Sequence, residues 1–62
     1  MLKEGDLVTI KRGAISFRNR ISFEKGYEYR KTYIDSGNQV AIVSDIDTQQ
    51  EIHVPIRFIE KV

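Results

Sequence analysis

The chain has 62 residues, with ten lysines and arginines against nine aspartates and glutamates, one histidine and no cysteine. That length holds one domain, residues 1–62, and a core that buries only about 60% of the unfolded surface. Without cysteine, disulfides and thiolate metal centres are excluded, so stability rests on apolar packing or on a partner.

The opening Met1-Leu2-Lys3-Glu4-Gly5-Asp6 lacks the apolar run of a secretory leader. No stretch approaches the ~20 apolar residues of a membrane span. A soluble, cytoplasmic protein is expected. The net charge of +1 names no partner, but its distribution is uneven. Lys11, Arg12, Arg18, Arg20, Lys25, Arg30 and Lys31 face only Glu24 and Glu28 in residues 11–31. From Asp35 onward, Asp35, Asp45, Asp47, Glu51 and Glu60 outnumber Arg57 and Lys61. The first half is basic and the second acidic.

In chain order, Gly5-Asp6 turns into Leu7-Val8-Thr9-Ile10-Lys11, a β-branched run with Val8 and Ile10 on one face. Arg12-Gly13 breaks it. Residues 12–20 show no period and form the longest candidate loop. Ile21-Ser22-Phe23 alternates, which allows brief pairing or inward packing of Ile21 and Phe23. Lys25-Gly26 marks a turn. Tyr27 to Ile34 reads as a strand with Tyr27, Tyr29, Lys31 and Tyr33 on one face and Glu28, Arg30, Thr32 and Ile34 on the other. Asp35-Ser36-Gly37-Asn38 is the clearest turn. Gln39 to Ser44 is apolar on both faces and reads as a central strand. Asp45 to Gln49 forms a hairpin loop. Gln50 to Val54 returns with Ile52 and Val54 inward and Glu51 and His53 outward. Pro55 cannot donate to a ladder, so a short helical turn at Pro55–Arg57 precedes a closing strand, Phe58 to Val62. Five short strands and no helical stripe predict an all-β barrel or open-sided sandwich.

Three segments carry a resemblance. Val54-Pro55-Ile56-Arg57-Phe58-Ile59-Glu60-Lys61-Val62 is similar to the P-x-x-aromatic-aliphatic-acid ending of SH3 domains, with Phe58 at the usual tyrosine. Leu2-x-x-Gly5-Asp6-x-Val8-x-Ile10 is similar to the first strand of SH3-like barrels in bacterial, phage and ribosome-associated proteins. Phe23 to Tyr29, with Ile34-Asp35-x-Gly37 and Arg57-Phe58-Ile59, resembles short phage and bacterial proteins of SH3-like fold, many without assigned activity. The resemblance implies a five-stranded SH3-like small barrel with a short 3-10 turn before the last strand. Proline-peptide recognition is not implied. The chain has no tryptophan, Val40-Ala41 stands where the groove aromatic belongs, and the first long loop is basic where those domains are acidic.

The basic loop is the first candidate site. Arg12, Arg18, Arg20 and Lys25 surround Ile15, Phe17 and Phe23, and arginine forks suit phosphate or carboxylate. Against this stands a lid in which Ile15 and Phe17 fold back over an open barrel end. Tyr27, Tyr29 and Tyr33 beside Arg30 and Lys31 could stack bases, although strand aromatics more often belong to the core. Asp45 and Asp47 offer too few oxygens for a calcium cage, and a hairpin with solvated acids is expected. His53 reads as an outward surface residue. No serine sits in an activating motif, and neither a catalytic site nor a metal or cofactor is expected. Two functions follow. One is a protein-interaction module, a phage or bacterial accessory protein docking through the 12–25 loop, with Arg12, Phe17, Arg18, Arg20, Lys25 and Arg30 as contacts and with self-association open. The other is a nucleic-acid-binding barrel using the basic and aromatic 12–31 region.

Overall fold

A computed structural model of the chain describes residues 1–16 and 20–62. Its elements are β1 (Leu7–Ile10), β2 (Tyr27–Asp35), β3 (Asn38–Asp45), β4 (Glu51–Pro55), a 3-10 turn (Ile56–Phe58) and β5 (Ile59–Lys61). Every pairing is antiparallel, and the sheet order is β4-β3-β2-β1-β5. The all-β architecture, the five strands and the 3-10 turn before the last strand are those read from the sequence. One correction concerns closure. Among the described residues no ladder joins β4 to β5, so the sheet is not closed and retains two edges. The order is compatible with an SH3-like fold.

Alternation places Val8 and Ile10 inward, as expected, and register brings their neighbours with them. Val8 stands opposite Tyr27, Ile10 opposite Ile59, Val43 opposite Ile52 and Ala41 opposite Val54. Directly opposite residues share a face, so these side chains form one layer. Val8, Ala41, Val43 and Val54 are fully buried, and Tyr27 is 1% exposed. Ile21 and Phe23 form no strand but are half-buried against this core, as are Leu2, Ile56, Phe58 and Ile59. β3 is buried on both faces from Ala41 to Asp45, as its continuous apolar run implied.

A β-bulge overturns the expected face of β2. Register passes from Tyr29↔Val43 to Lys31↔Ile42, leaving Arg30 as the extra residue. An extra residue inverts the inside-outside phase of everything after it. Tyr27 and Tyr29 stay in the core. Thr32 then joins the core face, where its hydroxyl bonds that of Tyr29. Tyr33 moves to the outer face, stands edge-on to His53 at 5.6 Å between ring centroids, and its hydroxyl lies 2.8 Å from His53 Nδ1. The strand therefore has two aromatic faces.

Beyond Thr32 the β2–β3 hairpin leaves the core, and every residue from Arg30 to Gln39 is exposed. Its tip has positive φ at Ser36 (51°) and Gly37 (81°), the type I′ pattern whose twist matches the strands. Asn38, read as the last residue of the turn, begins β3.

Candidate functional site

The start of the long loop is seated on the 3-10 turn. The Lys11 amide donates to the Phe58 carbonyl at 2.7 Å. Gly13 has φ +99°, and a Cβ there would meet the edge of the Phe58 ring at 3.7 Å. Glycine thus supplies the left-handed conformation that brings the loop over the ring. The Arg12 guanidinium lies 5.6 Å from the centre of Phe23, and the Arg57 guanidinium 4.9 Å from the centre of Phe58. Both rings are half-buried on the core, so each offers one face outward. The result is a contiguous surface running Phe23, Arg12, Gly13, Phe58, Arg57. Arg12 also faces Glu24 at 3.9 Å, but both side chains are more than three-quarters exposed, and such a contact contributes little.

The remaining loop residues divide. Ala14 is buried and plugs the core, whereas Ile15 is 72% exposed, so of the two readings of Ile15 the lid is not the one seen. Arg20 is exposed. Phe17 and Arg18 lie outside the described residues.

Lys25 is engaged elsewhere. Its ammonium lies 2.9 Å from Asp45 Oδ1 and 3.0 Å from Asp47 Oδ2. The amides of Asp47 and Thr48 donate to the same Asp45 oxygen at 2.8 and 3.2 Å. Asp45 is buried, which corrects the solvated hairpin acid that the sequence suggested. Hydrogen bonding to Lys25, with smaller help from the Asp47 and Thr48 amides, holds the Asp45 carboxyl below its ordinary value against the opposing effect of burial. Hydrogen bonds to Asp45 and then Asp47 raise the Lys25 ammonium correspondingly. This cluster ties the 24–26 turn to the β3–β4 loop.

Arg30 lies apart from the loop. It pairs with Glu28 at 3.3 Å and lines an open depression of about 350 Å³ on the outer face, with Glu4, Lys31, Ile42, Glu51 and His53. The four expected contacts that are described stand in different settings. Arg12 belongs to the surface over the 3-10 turn, Arg20 is exposed in the same loop, and Lys25 and Arg30 stand in other environments. Arg57 is the residue that sequence reasoning missed. Its signal was its place beside the closing aromatic, Phe58.

Among the described residues no group of histidines and carboxylates could hold a metal ion, and no helix is long and apolar enough to cross a membrane. No family model, curated protein or solved structure matches the chain.

Proposed function

We propose that this chain is a non-catalytic protein-interaction module of SH3-like fold that docks on an acidic surface of a larger protein. The observation that carries the reading is the pair of arginines laid on aromatic rings, Arg12 on Phe23 and Arg57 on Phe58, with exposed Ile15 in the adjoining loop. Stacking restrains each guanidinium while leaving its in-plane donors available, so little side-chain entropy is lost when a carboxylate binds. Half-buried aromatics and an exposed isoleucine supply the apolar contact that interfaces need beside charge. The resemblance to short phage and bacterial SH3-like proteins supports an accessory role in the cytoplasm, that of the host if the chain is viral.

The nucleic-acid reading loses its three-tyrosine platform, because Tyr27 and Tyr29 are 1% and 8% exposed. The test uses immobilised full-length chain and nuclease-treated cell extract. A specific protein is expected to bind wild type and to be lost from Arg12→Ala/Arg57→Ala. The same partner held equally by the double variant rejects this surface. Salt-sensitive binding of a single-stranded oligonucleotide at micromolar protein would favour nucleic acid instead.

A further inference from the structure

We infer that the depression on the outer face of the sheet is a binding site for a small zwitterion of the α-amino-acid class. No residue of the arginine-stacked surface lines it, so the two sites are independent.

The β2 bulge builds one wall. Two residues of a bulged strand oppose one on its partner, here Arg30 and Lys31 opposite Ile42. Regular alternation would send consecutive side chains to opposite faces. Arg30 and Lys31 instead line the same depression. The ladder continues the row, since Ile42 stands opposite His53. Two cations and an imidazole thus flank Ile42, which is 8% exposed. Glu28 engages Arg30 through Nη1 at 3.3 Å, and a guanidinium has five N–H donors, so others remain. Lys31 makes no ion pair among the described residues. A Tyr33 hydroxyl donating to His53 Nδ1 leaves the ring proton on Nε2, a further donor.

An acid supplies the opposite pole. The Gly5 amide donates to the Tyr29 carbonyl at 2.8 Å, which lays Glu4 beside the bulge. Glu4 is exposed and also makes no ion pair among the described residues. Glu51 lines the depression too but already has a partner, so Glu4 is the acceptor. With His53 neutral, the cations and carboxylates of the lining balance. A free anion would meet the carboxylates, and a free cation the ammonium and guanidinium. A zwitterion answers both signs, its carboxylate on Arg30, Lys31 and the His53 N–H and its ammonium on Glu4. A volume of about 350 Å³ stands at the lower end of ligand sites and leaves room for one amino acid. The depression is open, so the ligand's own side chain points to water and adds little selectivity.

The test follows amide shifts of the isotope-labelled full chain against L-alanine, N-acetyl-L-alanine and L-alanine amide, each to about 100 mM at constant ionic strength. Alanine should shift Arg30, Lys31, Ile42 and His53 saturably, with millimolar affinity because the ion pairs are open to water. The two blocked compounds each lack one charge and should bind at least about threefold more weakly. Lys31→Ala should weaken alanine about threefold and leave alanine amide no weaker. Glu4→Gln should weaken alanine about threefold and leave N-acetylalanine no weaker. Both positions are exposed, so the variants keep the fold, as the rest of the spectrum will show. Absence of saturable shifts at the lining residues, blocked compounds that bind as tightly as alanine, or variants that bind alanine unchanged would each overturn the proposal.

Discussion

Ser36 occupies a left-handed position that suits asparagine or glycine better, at φ 51° in a two-residue hairpin turn. The strand twist on either side demands this turn type, so serine bears the conformational cost. Ser36→Asn should stabilise the protein by about 0.5–1 kcal/mol, read as a higher denaturation midpoint at unchanged slope. At this scale the sequence was legible where a residue's role depends on its strand neighbours. Tyr27 and Tyr29 are core, and His53 points outward. It was illegible where the role depends on distant chain. Lys25 meets Asp45 only because Tyr27, two residues on, pairs with Asp45. No local pattern announces an ion pair across twenty positions. Arg57 and Arg12 likewise share a surface because the Lys11 amide bonds the Phe58 carbonyl.

β2 shows how one residue redirects an element. Alternation and turn residues identified all five strands to within a residue or so of their ends, because β-branched and aromatic runs are bounded by glycine, asparagine or proline. The bulge had no such mark. Arg30 is an ordinary strand residue, and the insertion exists only relative to β3. Deleting Arg30 should remove the bulge yet keep Thr32 opposite Ala41 and Tyr33 opposite Val40, so the Tyr29–Thr32 and Tyr33–His53 hydrogen bonds should both persist. The change in stability should be about 1 kcal/mol or less, since no buried contact is lost. Denaturant titration measures it, and disappearance of the Tyr33–His53 ring contact by nuclear Overhauser spectroscopy would show that the register with β3 had slipped instead.

For the whole molecule, margins are small: a 62-residue domain is held by about 3–9 kcal/mol. Loop-fastening carboxylates therefore show in its pH dependence. The Lys3 amide, and to a lesser extent Lys61, hold the Asp6 carboxyl below its ordinary value, as Lys25 does for Asp45. A lowered carboxyl stabilises the fold above its unfolded value, near 3.8, and loses that contribution as pH falls through the folded value. The Lys25 contribution runs oppositely: present below 10.5 and lost as pH rises through its raised value. Stability should thus be level for these groups between about pH 5 and 9 and decline below about pH 4. Asp45→Asn should lower the plateau and flatten the acid limb, as followed by thermal melts across pH. A variant with the wild-type acid limb would remove Asp45 from the account.

The β2–β3 hairpin has a further consequence. Its outer half touches water on both sides and ends in a two-residue tip, so few contacts cross from it to the rest of the chain. A break or graft between Ser36 and Gly37 disturbs only the hairpin's own ladder. The tip is accordingly the place to cut this protein for circular permutation or fragment complementation, or to mount a reporter. Such a reporter would replace none of the residues of the arginine-stacked surface, so binding there can be titrated in its presence.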